Sequence, residues 1–176
     1  MDTSKLTMRS QEALQAAQSM AQQQQHQVLE SAHVFLGILE VDQDVIPALL
    51  EKQGVPKQGI QAAARAMVDN FPKVQGGEMH ASNALAHVLR NALNDLPAWK
   101  DQFLAVDALF YHVCQSKDAL GNMLKDAGLK VNQLKNDIIT MRKGEKIESQ
   151  SQENTYQSLA KYAKNLNEMA SKGKLD

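Results

Sequence analysis

Apolar residues recur at three- and four-residue spacing along almost the whole chain, and alternating runs of Val, Ile, Thr and Tyr are absent. That period predicts helices. Thr7 is placed to cap the first, whose Ala13, Leu14, Ala17, Met20 and Ala21 form one stripe before the polar run QQQQHQ. Ser31 can cap a second, carrying Val34, Phe35, Ile38 and Leu39. The third runs from about Asp44 to Gln53, with Pro47 in its first turn, where a missing N–H costs little. A fourth begins near Pro56 and aligns Ile60, Ala63, Ala64, Met67, Val68 and Phe71.

The stretch PKVQGGEMH (72–80) then interrupts the pattern with a Pro and a Gly pair. Ser82 can cap a fifth helix, with Leu85, Val88, Leu89 and Ala92 on its apolar face. LPAWKDQF reads as a loop leading to a sixth helix, Ala108 to Gln115. A seventh stops at Gly128, and an eighth carries Leu134, Ile138 and Met141.

ALLEKQGV in the third helix and NMLKDAGL in the seventh say nearly the same thing. Sliding the chain by 74 residues places Leu29 on Phe103, Phe35 on Leu109, Leu50 on Leu124, Gly54 on Gly128 and Met67 on Met141. One such period, longer than a solenoid repeat, predicts a duplicated four-helix unit, two similar halves about a pseudo-twofold axis with a seam between them. The expected organisation is all-α: a first repeat over 1–75, a second over 76–142, and together one compact domain. From 143 the composition turns polar, KGEKIESQSQEN, with only Ile147 apolar, which reads as a linker. Beyond it Tyr156, Leu159, Ala163, Leu166 and Ala170 predict an amphipathic helix, so 143–176 is expected to be linker plus junction helix.

Composition narrows the classes. Nineteen basic and twenty acidic residues leave a net charge of −1, without the basic stripe that neutralises nucleic-acid phosphates. The lone Cys114 excludes an internal disulfide framework. No apolar run approaches the ~20 residues that span a bilayer, and no secretory signal is visible in the first thirty. A cytoplasmic protein is expected, binding neither nucleic acid nor membrane.

Catalytic chemistry is not apparent. Gly54 and Gly59 have P-loop spacing, but Ile60 and Gln61 stand where Lys and Ser or Thr are needed. His80 and His87 lack further metal ligands at convincing spacing. His33 and His112 lie within apolar helices and read as hydrogen-bonded structural histidines. Cys114 and His112, two apart, do not face each other on a helix, and Cys114 reads as a small buried apolar residue. No metal and no cofactor is expected in this chain.

The segments LTMRSQEALQAAQSMA, LESAHVFLGILE and LLEKQGV resemble the Clp N-terminal repeat, and FLAVDALFYHV and MLKDAGL resemble its second copy, over residues 5 to 142. TYQSLAKYAKNLNEMASKGKLD is similar to the junction leading into the first ATPase module of ClpB-type disaggregases. The resemblance implies a non-enzymatic domain that binds exposed apolar segments of unfolded or aggregated polypeptides and hands them to an ATP-driven AAA+ ring. The full-length protein would be a hexameric ATPase, the isolated domain a monomer, with ATP and Mg confined to modules outside this chain. A co-chaperone is a further partner, and docking of a folded adaptor, as in ClpA or ClpC relatives, is the alternative. Polar positions of the family's groove match Thr7, Asp101 and Asp107; Asp107 and Ala32 stand where the family often carries Glu. Leu85, Val88, Leu89 and Phe103 are the apolar candidates for the polypeptide-binding site, with Asp101 and Asp107 at its rim.

Overall fold

The computed structural model describes residues 3–153; the expected junction helix lies outside them. After a 3-10 turn (Thr3–Lys5), the first repeat comprises α1 (Met8–Gln23), β1 (Val28–Leu29), α2 (Ser31–Val41), α3 (Val45–Lys52) and α4 (Lys57–Asp69). The second comprises β2 (His80–Ala81), α5 (Asn83–Asn94), α6 (Leu96–Trp99), α7 (Val106–Val113), α8 (Ala119–Asp126) and α9 (Val131–Arg142). The eight helices predicted for the two repeats are all present.

Local chemistry explains the starts and stops. Thr7 caps α1 and Ser82 caps α5, each side chain accepting the N–H of the residue three further on, Ser10 and Leu85. Ser31 is the first residue of α2 rather than its cap; Glu30 takes that position in a capping box with His33. Gly54 and Gly128, at φ +70° and +99°, end α3 and α8 in the left-handed conformation that the matched LLEKQG and MLKDAG stretches require. The LPAWKDQF stretch holds a short helix, α6, which Lys100 closes at φ 60°.

The halves superpose with a register that changes partway. Thr7 corresponds to Ser82 and the start of α2 to that of α7, an offset of 75, whereas α3 and α4 match α8 and α9 at 74. From its start to the start of the next helix α7 spans one residue fewer than α2, so a uniform slide by 74 misaligns the first two helices. Phe35 therefore corresponds to Phe110, and their rings stack across the centre at 6.0 Å. The short strands obey the same symmetry: Leu29 opposes Ala81 in a parallel pair, and Leu6 bridges Leu104. Two-residue strands carry no alternation, so the sequence pattern does not show them.

One continuous core joins both repeats. α3 packs on α9, α4 on α8, and both α1 and α2 on α7. Across this contact Gln53 exchanges two hydrogen bonds with the Lys130 backbone (3.0 and 2.9 Å), and the Ser31 hydroxyl donates to Asp118. α1 and α2 approach to backbone contact at Gly37, where a Cβ would lie 2.3 Å from the Ala13 carbonyl oxygen.

The segment after α9 does not run free as a linker. Ile147 is buried and accepts the Gln102 N–H (2.8 Å) through its carbonyl, and Gln150 accepts the Met8 N–H (3.0 Å). Residues 143–153 thus form a strap across the starts of α1 and α7.

Candidate functional site

The seam between the repeats holds an open cavity of about 740 Å³. α1 and α5 flank it, supplying Leu14, Gln18 and Gln22 on one side and Leu89 on the other. Leu29, Val74 and Met79 add apolar surface, and Gln25, Gln27 and Gln75 add amides. Among the described residues no Asp, Glu, Lys or Arg lines it, and His26 and His80 are the titratable ones. The first helices of the repeats therefore face each other across a groove. A second cavity, about 1040 Å³, lies within the second repeat and is lined by Lys117, Lys125 and Lys130.

The groove's position follows from the sequence. The Gln run at the end of α1 extends past the apolar stripe, and Gly76 and Gly77, both at positive φ, turn the chain back so that Met79 and His80 reach the cavity. Gln27 and Leu29 hold that return by accepting the N–H groups of His80 (3.0 Å) and Ser82 (2.9 Å). The polar run was the available signal for this surface; read as a helix end alone, it was missed.

The expected site residues divide sharply. Leu89 is half-buried and lines the groove, whereas Leu85 and Val88 point into the core behind it. Phe103 is half-buried beside the Leu104 bridge and outside the groove lining. Asp101 and Asp107 do not stand at a rim: they are 7% and 3% exposed. Arg142, at the end of α9, lies between them, its Nη1 donating to both Asp101 oxygens (3.0 and 2.8 Å). Its Nε and Nη2 donate to Asp107 (2.8 and 2.6 Å). Two carboxylates around one guanidinium satisfy its planar donor fork, and Trp99 covers that cation at 5.2 Å. Burial pushes the Asp101 carboxyl up, against the opposing pull of the Ile147 N–H and Arg142.

Thr7 is fully buried; its Oγ1 accepts the Ser10 N–H and lies 2.6 Å from Glu153 Oε1. Asp101 accepts the Ile147 N–H (2.9 Å). The three polar positions assigned to a groove hold the strap and its root instead. Neither Arg142 nor Glu153 stood out in the sequence, because a single charge in a polar stretch reads as solvated until its partners are known.

The interior histidines are hydrogen-bonded. His33 Nδ1 accepts the Glu30 N–H (2.9 Å), which leaves Nε2 3.0 Å from His26 Nδ1. Burial, with His26 second, pushes His33 down to about 4, so it is neutral and donates to His26. His112 Nε2 and Trp99 Nε1 both lie 3.1 Å from Asp95 Oδ2. Cys114 is buried and its thiol pKa pushed up by that burial, the setting of an unreactive thiol.

Two helical repeats that share one core and leave a groove at their seam are the fold of a Clp N-terminal domain. The chain belongs to the Clp repeat (R) N-terminal domain family, which matches residues 5–127. It is 37% identical over its whole length to the chaperone protein ClpB of Bacteroides thetaiotaomicron and 31% identical to that of Porphyromonas gingivalis. It spans about 20% of the length of each of these relatives. In fold it matches the Hsp104 N-terminal domain from Candida albicans, with TM-score 0.74 and 18% identity over 83% of this chain and 97% of that one. The N-domain of ClpV from Vibrio cholerae matches with TM-score 0.64 and 18% identity, over 78% and 84%. The chain is thus a Clp N-terminal domain, similar to the N-terminal part of ClpB chaperones. No helix among the described residues is long and apolar enough to cross a membrane.

Proposed function

We propose that this domain binds exposed apolar segments of unfolded or aggregated polypeptides in the seam groove and passes them to the ATPase ring of a disaggregase. The observation that carries the reading is the groove's described lining, apolar surface interleaved with glutamine amides and without Asp, Glu, Lys or Arg. Clients of a disaggregase share no sequence, so affinity must come from apolar contact and from groups that pair with any backbone. A glutamine amide both donates and accepts, and so serves a peptide N–H or C=O equally. Fixed charges would select particular clients, and the described residues of the groove bring none. Leu14, Met79 and Leu89 are the contact residues of this proposal; Leu85 and Val88 support the wall, and Thr7, Asp101 and Asp107 keep the frame from which it is built.

Leu89→Asn tests it. Leu89 is half-buried, and withdrawing its side chain from a bound apolar segment removes contact worth about 1.5 kcal/mol, roughly a tenfold loss of affinity. Anisotropy titration with a labelled, permanently unfolded polypeptide should show that loss, with a melting temperature within about 3 °C of the parent. Unchanged affinity would remove the groove from the function. Binding of a folded adaptor alone, with no response to unfolded chains, would replace client binding by adaptor docking.

A further inference from the structure

The N-terminus of α7 is capped from outside its own repeat. In the first repeat the cap of α2 is local, since Glu30 immediately precedes the helix and forms a capping box with His33. The corresponding residue before α7 is Ala105, which has no side chain to accept a hydrogen bond. Glu153, far along the chain, fills the place: its Oε2 accepts the Val106 N–H, forty-seven residues before it, at 2.6 Å. Its other oxygen meets the hydroxyl of Thr7, the cap of α1. One carboxyl group thus ties the starts of two helices from opposite repeats, and it does so at the far end of the strap.

We infer that residues 144–153 are a releasable clasp, latched by Glu153 as the missing cap of α7 and rooted at Arg142, which closes over the starts of α1 and α7. The root and the latch differ in kind. At the root, Arg142 is pinned by both Asp101 and Asp107, and Ile147 is buried. The stretch between Ile147 and Glu153 is mostly exposed, and it is held by Gln150, whose amide nitrogen reaches the Ser4 and Leu6 carbonyls (3.2 and 3.0 Å). Losing the latch frees the outer part before the root. Ten residues released into an extended chain would add up to about 33 Å of tether.

The latch also responds to protons. Burial first, then Asp107 on α7, push the Glu153 carboxyl up to about 8, with Asp42 after α2 adding to this; Arg142 on α9 stands beyond Asp107, engaged by it and by Asp101. When the carboxyl is protonated, its O–H can donate to Thr7 Oγ1, 2.6 Å away. The Thr7 hydroxyl then donates to Ser10 Oγ (3.1 Å), and the Ser10 hydroxyl donates to the Leu104 carbonyl (2.8 Å). Every proton in that chain has an acceptor. A carboxyl raised above its ordinary range holds best when protonated, so the latch is complete below about 4.5 and is lost as pH rises through about 8.

The inference holds whichever partner fills the groove. To test it, nitroxide labels are placed through cysteines at the exposed Gln58 and Ser149 of this chain, and their distance distribution is measured at pH 6 and pH 9. The buried Cys114 stays unlabelled. The parent should give one narrow distance at pH 6 and gain a long, broad component at pH 9. Glu153→Gln, whose amide can still serve Val106 and Thr7, should stay narrow at both. Glu153→Ala should be broad at both, with about tenfold faster exchange of the Val106 and Met8 amides, the weight of a lost cap, and unchanged protection in α2. A narrow distribution in Glu153→Ala, or equal loss of protection in α2, would overturn the clasp.

Discussion

Replacing Asp101 by Ala should unfold the domain more readily. The change removes two hydrogen bonds to Arg142 Nη1 and the acceptor of the Ile147 N–H, in a place where these groups are buried. Breaking a buried pair by deleting one partner costs about 3–5 kcal/mol, because the remaining charge is left uncompensated. Here Asp107 still neutralises the guanidinium through Nε and Nη2, which places the charge part near the lower limit. The orphaned Ile147 N–H adds about 1 kcal/mol, its own desolvation penalty. The sum is about 4 kcal/mol, or roughly 8–16 °C of melting temperature for a domain of this size. The lone Trp99, with Arg142 over its ring, makes intrinsic fluorescence during urea unfolding a direct readout. Asp101→Asn should fall between, since it keeps an acceptor for Ile147 but not the charge. A melting temperature within about 2 °C of the parent would refute the buried-pair account and return Asp101 to an exposed rim.

Two further outcomes are expected. Gly37→Ala should destabilise by more than about 3 kcal/mol in urea titration, because the Ala13 carbonyl 2.3 Å from the new Cβ is backbone and cannot step aside without parting α1 from α2. Stability should fall by up to about 3 kcal/mol between pH 6.5 and 4, since His33 is held neutral down to about 4 while the unfolded chain protonates near 6.5, and His33→Gln should flatten that slope in equilibrium unfolding across the range.

Helices were legible because each buries one face, and a stripe at helical spacing is written directly in residue types. Caps with a side-chain hydroxyl, Thr7 and Ser82, and the two stop glycines were legible for the same local reason. The duplication showed through the third and seventh helices, where the stop glycines align; its register shifted between the starts of α7 and α8, one residue closer than those of α2 and α3, which few identities could reveal. The groove was legible only in part. Leu89 was marked by the α5 stripe, but its neighbours Leu85 and Val88 share that stripe and face the core, so periodicity alone could not divide them. The roles of Asp101, Asp107 and Thr7 depended on Arg142 and Glu153, 35 to 146 positions away in the chain. No local pattern encodes contacts of that range.

The two halves share a frame and have exchanged their attachments. Gly37 admits the backbone of α1, and the corresponding residue in α7 is His112, whose ring engages Asp95 and leaves no such close approach for α5. α5 is thereby left with a face turned to the groove, where Leu89 stands opposite Leu14. Glu30 caps its own helix, while Ala105 leaves α7 open to Glu153. Val68, the counterpart of Arg142 at the offset of α4 and α9, is buried among apolar residues, whereas Arg142 gathers two carboxylates and starts the strap. Every departure from symmetry in this set puts a polar or open position on the second repeat, the one from which the chain continues. A duplicated unit that kept both copies equal would have closed that end with apolar residues, as Val68 closes the first; the buried ions and the borrowed cap are what tie the continuing chain to the fold.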